Sequence, residues 1–317
     1  MNSKNIMIFL EFVEIRTKIA SVFPMLIGFL WTAYHYEQFN WLNSLIFAIA
    51  VISFDMCTTA INNTIDFHKA IDLDYKTQEN VIGKNNLSFK KMVYIVLFLL
   101  LFAFVFAISL VFLTDFMLLI LGGLCFLMGI IYTFGPTPIS RSPYGEVMSG
   151  LTMGFGIFFL AIYMTMYGSI LSSTHTIGNI MINFNWFETV KIFMMSLPLI
   201  CFIANIMLAN NTRDLETDII NERKTLVFYI GKSNAVILYQ ILSAIPWIVW
   251  LLYIISGILP LWAVLGFGLV PIHYKSVLRY KEKQTRETFP ESIKSFTLFA
   301  SLYLLTLLIG NVVQLFS

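Results

Sequence analysis

Aspartate and asparagine residues recur at a helical spacing in the second half of this chain. Asn210, Asp214 and Asp218 stand at positions i, i+4 and i+8, so on a helix they share one face. Two neighbouring carboxylates repel each other unless a cation lies beside them. Oxygen ligands suit Mg²⁺, which commonly bridges a few carboxylates to substrate phosphates. The spacing therefore predicts a Mg²⁺ site that holds a phosphorylated substrate.

A second group of the same kind occurs earlier in the chain. Asn62 and Asp66 form the same i, i+4 pair, and the next acids are Asp72 and Asp74. Asp74 stays near the face of Asp66 if the helix continues, whereas Asp72 does so only if the helix breaks. Asp55 lies on the same stripe within an apolar run, where it serves either structural hydrogen bonding or function.

The composition places these residues in a membrane protein. The 317 residues are 58% hydrophobic and only 12% charged, with a mean hydropathy of +0.80, whereas a soluble domain is about 25% charged. The net charge of +2 suggests no nucleic-acid partner.

Nine apolar runs are long enough to cross a lipid bilayer. They lie at about 17–36, 43–63, 92–113, 116–134, 147–168, 190–209, 236–255, 259–274 and 295–316. The eighth run is short, and with eight spans it would be a re-entrant or buried segment. We therefore expect an all-α polytopic bundle of about nine transmembrane helices.

The basic residues predict the orientation. All but one of the 20 Lys and Arg residues lie in the N-terminal tail or in loops after even-numbered spans. Because Lys and Arg favour cytoplasmic loops, the N-terminus and both Asp-containing stretches are expected on the cytoplasmic side. The prediction is a multi-pass protein of the cell membrane with its site facing the cytoplasm.

The two Asp-containing stretches are copies of each other. Residues 62–86 and 210–234 share 11 identities over 25 positions without a gap, which indicates an internal duplication. Both copies follow even-numbered spans, so the repeat is parallel. We expect one domain over residues 1–317, with halves at about 17–134 and 147–274 and a last helix at about 295–316.

Two segments of the chain resemble the two Asp-rich motifs of the UbiA family of membrane prenyltransferases. They are Asn62-Asn63-x-x-Asp66-x-x-x-Ala70-x-Asp72 and Asn210-Asn211-x-x-Asp214-x-x-x-Asp218. The segments Tyr132–Ser140, Tyr144-Gly145-Glu146 and Arg223-Lys224-Thr225 resemble the branch that prenylates 1,4-dihydroxy-2-naphthoate for menaquinone. Asn63 and Ala70 depart from the family pattern, which usually has Asp or Glu at the first position and, in this branch, often Gly at the second.

The resemblance implies a helical bundle with a central cavity and a Mg²⁺-dependent transfer of an isoprenyl chain from a polyprenyl diphosphate to an aromatic acceptor, with loss of CO₂. The implied catalytic and metal-binding residues are Asp66, Asp72, Asp214 and Asp218. The predicted substrate contacts are Asn62, Asn210, Lys76, Arg223, Lys224, Lys18, Tyr132 and Glu146. For Lys18, an anchor at the membrane interface is an equal alternative to a substrate contact. For Arg141, a functional and a structural role are equal alternatives.

Two alternatives remain open. A related enzyme could act on another acceptor, such as another phenol or a glycerol lipid. A secondary transporter is disfavoured because such folds commonly bind substrate at the bilayer midplane, whereas these acids cluster at the cytoplasmic edge.

Overall fold

The computed structural model describes residues 3–71, 73–135 and 138–316, with side chains from residue 5 onwards. Its α-helices are α1 (Ser3–Phe12), α2 (Ile19–Tyr36), α3 (Trp41–Lys69), α4 (Val81–Lys84), α5 (Phe89–Leu113), α6 (Met117–Thr133), α7 (Gly145–Ser149), α8 (Ile157–Ile170), α9 (Trp186–Arg213), α10 (Leu215–Ile220), α11 (Leu226–Ile255), α12 (Val270–Glu282) and α13 (Pro290–Gln314). Turns of 3₁₀ or π helix lie at Ile15–Lys18, Tyr75–Glu79, Ile139–Arg141, Gly150–Gly156 and Leu261–Leu269.

Eight helical segments of this described part are long and apolar enough to cross a bilayer: Ile15–Tyr36, Trp41–Lys69, Phe89–Leu113, Gly145–Ile170, Trp186–Arg213, Leu226–Ile255, Leu261–Glu282 and Pro290–Gln314. They match eight of the nine predicted spans, so the protein is a helical multi-pass membrane protein. The fourth predicted span, 116–134, is α6, a shorter apolar helix of 17 residues. The doubtful eighth span is a helical segment of 22 residues, and it runs past the predicted boundary because the helix continues beyond the apolar run.

The main hydrophobic core joins α2, α8, α9, α11 and α13. Trp250 is fully buried there, and its ring centroid lies 5.5 Å from that of Phe299 and 5.4 Å from that of Tyr303. A separate cluster, which includes Cys57 and Leu99, packs α3 against α5. A cavity lies between these two packed regions.

Each Asp-containing stretch ends in a short helical segment and a break. In the first, α4 ends at a turn where Asn86 has a φ of 48°, and α5 follows. In the second, α11 is interrupted at Gly231, where φ is 77° and ψ is 158°. Glycine has no Cβ and adopts positive φ at little cost, so Gly231 permits the second break.

A β-hairpin connects α8 to α9, between the predicted spans 147–168 and 190–209. Strands β1 (Leu171–Thr176) and β2 (Asn179–Phe184) pair antiparallel, with Leu171 opposite Phe184. Asp115, in the turn between α5 and α6, accepts hydrogen bonds of 2.9 Å from the backbone N and the Oγ of Ser173. These bonds fix the hairpin to the end of α6.

The close packing of the Gly150–Gly156 turn on α9 depends on a glycine. A Cβ on Gly154 would lie 2.7 Å from the backbone N of Ile200 and 2.8 Å from its Cα. Gly154→Ala is therefore expected to destabilise the fold by about 1–3 kcal/mol, as overpacking does, and to lower the Tm in detergent. In Gly168→Ala, the new Cβ would meet no heavy atom within 4 Å, so its Tm should not fall. Equal Tm values for the two variants would contradict this packing argument.

Candidate active site

A cavity of about 1060 Å³ receives side chains from both Asp-containing stretches. One end is polar and contains Asp66, Asp214 and Asp218. The other end is lined by apolar side chains, among them Phe47, Phe54, Leu110, Leu118 and Leu160. Phe47, Leu110 and Leu118 are buried and belong to the main hydrophobic core, so this end of the cavity is apolar. The cavity suits a ligand with an anionic head and an apolar tail.

The first stretch presents one face of α3 to the cavity. Asp55, Thr59, Asn62 and Asp66 all line it, as expected for positions about one or two turns apart on one helix face. The helix ends at Lys69, and Ala70 is extended with a φ of −62° and a ψ of 125°.

The end of α3 affects which of the next two acids, Asp72 or Asp74, can share the helix face of Asp66. Because the helix breaks at Ala70, Asp74 loses the helical continuity that would place it on the Asp66 face. Asp74 is exposed and is not among the cavity-lining residues of the described chain. The prediction for Asp72 lies outside the described residues.

The second stretch keeps the predicted spacing on one face. Although α9 ends at Arg213 and α10 begins at Leu215, hydrogen bonds continue from the N of Asp214 to the O of Asn210 (3.0 Å) and from the N of Asp218 to the O of Asp214 (2.8 Å). All three predicted side chains line the cavity.

Each of the three described motif aspartates pairs with an arginine. An Nη2 of Arg141 lies 2.7 Å from Oδ1 of Asp66, and Nε of Arg213 donates to Oδ1 of Asp214 at 2.6 Å. Nε of Arg223 lies 3.3 Å from Oδ1 of Asp218 without hydrogen-bond geometry. The polar end therefore holds interleaved carboxylates and guanidinium groups, which can bind a metal and phosphate oxygens together.

Three hydrogen bonds connect the two stretches, one directly and two through the turn at Ile139–Arg141. The N of Ile71 donates to Oδ1 of Asn221 at 3.3 Å, and the N of Lys224 donates to the O of Arg141 at 3.2 Å. Arg223 also donates to the O of Ser140 at 3.4 Å. The turn at Ile139–Arg141 therefore lies against the second stretch and carries Arg141 to Asp66.

The electrostatics of the polar end are strongly coupled. Burial raises the pKa of Asp218 to about 6, Arg223 opposes this rise, and the charges of Asp214 and Asp66 add to it. Burial lowers the pKa of Arg223, but the nearby carboxylates, Asp218 first, outweigh it and raise that pKa above its ordinary value. The negative charges of these carboxylates therefore repel one another, and a bound cation would reduce this repulsion.

The structure distributes the predicted substrate contacts unevenly. Asn62, Asn210, Tyr132 and Arg223 line the cavity. Lys76, Lys224, Lys18 and Glu146 lie outside the lining found among the described residues.

These four side chains have other surroundings. Nζ of Lys76 lies 5.1 Å from the ring centroid of Phe67, and Nζ of Lys224 lies 6.0 Å from that of Phe228. Glu146 is buried, and its Oε1 accepts a 2.8 Å hydrogen bond from Asn211. Lys18 is buried behind Asp55, so it is not an anchor at the membrane interface.

Arg213 was missed by sequence reasoning, and the role of Arg141 was left open. Arg213 stands directly before Asp214, and that adjacency was an available signal for a charged partner. Arg141 reaches Asp66 across 75 residues of sequence, and only the tertiary fold shows that contact.

The residues present fit a Mg²⁺ ion that is shared with a substrate. In the described part of the chain, no group of three or more His, Cys, Asp or Glu side chains is gathered to hold a metal by itself. The Asp and Asn side chains at the polar end nevertheless offer oxygen ligands, and Oδ2 of Asp218 is buried without a hydrogen-bond partner among the described residues. Mg²⁺ usually takes one or two carboxylates and completes its shell with water and phosphate oxygens, which agrees with this arrangement.

A model of the UbiA prenyltransferase family matches residues 21–309. A 1,4-dihydroxy-2-naphthoate octaprenyltransferase of Bacillus subtilis (strain 168) is 24% identical over 305 residues, which cover 95% of this chain and 90% of that protein.

Solved structures share the fold. A UbiA homologue of Aeropyrum pernix K1 has a TM-score of 0.64 at 14% identity and covers 93% of this chain and 98% of its own. A UbiA homologue of Archaeoglobus fulgidus bound to GPP and Mg²⁺ has a TM-score of 0.62 at 11% identity, covering 95% and 99%. A structure of digeranylgeranylglyceryl phosphate synthase has a TM-score of 0.62 at 15% identity, covering 97% and 99%.

Proposed function

We propose that this chain, which belongs to the UbiA prenyltransferase family, transfers an isoprenyl chain from a polyprenyl diphosphate to an aromatic acceptor with the help of Mg²⁺. One observation carries the proposal. Both Asp-containing stretches line the polar end of a cavity whose other end is lined by apolar side chains. This polarity matches a donor with a diphosphate head and a hydrocarbon tail.

The polar end supplies the donor-binding groups. Asp66, Asp214 and Asp218 are the described carboxylates for Mg²⁺, with Asn62 and Asn210 beside them. Asp72 completes this set by its place in the motif. When bound, Mg²⁺ supplies Lewis-acid stabilisation of the departing diphosphate.

The arginines contribute a second stabilising effect. Arg141, Arg213 and Arg223 present guanidinium groups at the same end, where they stabilise the negative charge that develops on the diphosphate. As the allylic C–O bond breaks, its electron pair leaves with the diphosphate. The aromatic ring then attacks the allylic carbon, and the apolar wall keeps water from trapping that carbon.

We assign 1,4-dihydroxy-2-naphthoate as the acceptor, with loss of its carboxylate as CO₂ in menaquinone biosynthesis. The Bacillus subtilis relative, named for this acceptor, supports the assignment, as do the segments at Tyr132–Ser140 and Arg223–Thr225. A glycerol lipid is the alternative acceptor, since a digeranylgeranylglyceryl phosphate synthase shares the fold. A transporter is set aside, because the chain belongs to a family of enzymes.

We place the polar end of the cavity on the cytoplasmic side of the cell membrane. The support is the distribution of Lys and Arg in the loops, because these residues are retained on the cytoplasmic side. This orientation gives the site access to soluble acceptors and to Mg²⁺ in the cytoplasm.

A panel of donors and acceptors tests the proposed function. Purified protein with Mg²⁺ and a prenyl diphosphate is expected to convert 1,4-dihydroxy-2-naphthoate into a prenylated product that lacks the carboxylate, with one diphosphate released per product. Product masses from parallel reactions with 4-hydroxybenzoate and a glycerol lipid check the acceptor. Products from those alternatives but not from dihydroxynaphthoate would overturn the acceptor assignment, and no prenylated product from any acceptor would overturn the proposed function.

A further inference from the structure

Lys18 and Asp55 form an ion pair within the membrane-spanning part of the bundle. Lys18 is 4% exposed and Asp55 is 8% exposed, and Nζ of Lys18 lies 2.7 Å from Oδ1 of Asp55. Lys18 also donates to the backbone O of Asp55 at 3.1 Å and to Oγ1 of Thr59 at 2.6 Å. An ammonium group has three hydrogens, so these bonds leave Lys18 no donor for a substrate.

The carboxylate of Asp55 keeps free capacity. Its Oδ1 accepts from Lys18, and its Oδ2 accepts from Oγ of Ser21 at 2.6 Å. A carboxylate offers about four lone-pair sites, so further acceptor sites remain. Asp55 lines the cavity, and a ligand there can reach them.

Stability alone does not account for this pair. Removing two charges from water costs much of what their attraction returns, and apolar replacements of buried pairs are often neutral or stabilising. Ionisable residues inside membrane spans usually mark a substrate or proton path. Asp55 lies on the cavity wall, where it can contact a substrate or accept a proton from it.

The position of Asp55 along α3 determines which part of a bound ligand can contact it. It precedes Asp66 by 11 residues on the same cavity-facing stripe, which corresponds to about 16 Å along the helix axis. Towards the N-terminus of α3, in the apolar part of the cavity, the lining residues are apolar, as at Phe54, Val51 and Phe47. Asp55 therefore marks the inner limit of the polar lining of α3, below the diphosphate end and beside the start of the apolar part.

The chemistry of the carboxylate selects the ligand. Its free lone pairs accept hydrogen bonds, and an isoprenyl chain has no O–H or N–H to donate. An aromatic acceptor with a ring hydroxyl has the required donor. Such a ring must lie next to the allylic carbon, between the diphosphate and the apolar tail.

We propose that Asp55 binds a ring hydroxyl of the aromatic acceptor and takes its proton while the new C–C bond forms, and that Lys18 is a positioning residue that holds this carboxylate in place on the cavity wall. This inference rests on the proposed function. Removal of the hydroxyl proton increases the electron density of the ring, as general-base catalysis does.

The step balances in protons and electrons. The O–H proton moves to Asp55, and the O–H electron pair forms a ring C=O while a ring π pair forms the bond to the allylic carbon. The allylic C–O bond breaks, and its electron pair leaves with the diphosphate. When CO₂ departs from the prenylated carbon, the electrons of its C–C bond restore the aromatic ring, and the ring oxygen recovers the proton from Asp55.

Replacement of a ring hydroxyl by a methoxy group tests this step. The rates of wild-type protein and Asp55→Asn are measured with 1,4-dihydroxy-2-naphthoate and with its two monomethyl ethers. The wild-type protein is expected to prefer the parent acceptor over one of the ethers by at least about 100-fold, because a polar site rejects an analogue that lacks its hydrogen bond. Asp55→Asn is expected to lower kcat/KM for the parent acceptor by about 10²–10⁴-fold, to reduce that preference below about tenfold, and to leave the KM for the prenyl diphosphate within about twofold.

Two further variants separate this role from a structural one. Asp115→Asn removes a carboxylate with hydrogen bonds to the hairpin, and it is expected to keep the wild-type acceptor preference. Lys18→Met/Asp55→Leu replaces the pair by apolar side chains, an exchange that buried pairs often tolerate. It should fold, as judged by Tm and size-exclusion chromatography, but lose the preference.

The outcomes distinguish a failure of the role of Asp55 from a failure of the proposed function. If the wild-type protein prenylates the parent acceptor and Asp55→Asn, or the folded double variant, keeps the full preference for the hydroxyl, this inference is overturned while the proposed function stands. If the wild-type protein prenylates no hydroxylated aromatic, both are overturned.

Discussion

Asp66→Asn and Asp214→Asn are each expected to reduce kcat by at least about 1,000-fold. Each exchange keeps the shape of the side chain but removes a negative charge from the polar end of the cavity, where both residues lie. Loss of one preorganised electrostatic contact typically costs 10²–10³-fold, and weaker retention of the metal adds to that loss. Initial rates of diphosphate release and of prenylated product give the measurement.

A matched control lies on α10, two residues after Asp214. Glu216 is exposed and stands between Asp214 and Asp218 in sequence but lies outside the described cavity lining. Glu216→Gln therefore removes an acidic charge nearby and should retain nearly full activity. Wild-type turnover in Asp66→Asn and Asp214→Asn would refute the metal-binding role, whereas an equal loss in Glu216→Gln would indicate a non-specific charge effect.

The two aspartates are also expected to act as a unit. The double variant Asp66→Asn/Asp214→Asn should lose little more activity than either single variant, because groups that serve one step are not additive. All three variants should still fold, as judged by size-exclusion chromatography. The Tm of Asp214→Asn should stay near that of the wild type, because Asp214 is only half-buried. Variants that carry Asp66→Asn should have a lower Tm, because Asp66 is buried and Arg141 loses its charged partner.

Removal of Mg²⁺ is expected to reduce product formation to the background rate. Asp66, Asp214 and Asp218 offset the charges of the three arginines at the polar end, so a diphosphate there needs further positive charge. Mg²⁺ commonly links carboxylates to phosphate oxygens. Activity is measured after treatment with excess chelator and again after Mg²⁺ is restored. Full activity in excess chelator would contradict the assignment.

A binding measurement makes this second prediction independent of turnover. Titration with a non-hydrolysable prenyl diphosphate analogue should show tighter binding to the wild-type protein when Mg²⁺ is present. Asp214→Asn should lose most of that dependence, and Glu216→Gln should keep it. Equal dependence in all three proteins would show that Asp214 does not link the metal to the ligand.

The helical bundle and the acidic face were predictable from local patterns. A membrane span needs about 20 apolar residues, so long apolar runs give most spans directly. The i, i+4, i+8 spacing placed Asn210, Asp214 and Asp218 on one face, and the helical hydrogen bonds continue across the end of α9. In the first stretch, the break at Ala70 was not predictable, because alanine itself favours a helix.

Partners from distant parts of the chain could not be predicted. The contact between Arg141 and Asp66 joins the turn at Ile139–Arg141 to the end of α3, and no sequence period reports such a contact. Lys18 was expected at the membrane interface or on a substrate, but its Nζ is enclosed by Asp55 and Thr59. Burial of such a pair depends on how α2 packs beside α3, which is a property of the whole bundle.

The short length of α6 has a consequence for the lipids around this protein. A helix of 17 residues is about 25 Å long, whereas the hydrocarbon layer of a typical bilayer is about 30 Å thick. The turn at Asp115 is held by the hairpin, so we expect the neighbouring bilayer to adjust to this mismatch by local thinning beside α6. Since α6 also forms part of the cavity wall, we expect the activity to depend on acyl-chain length through this wall.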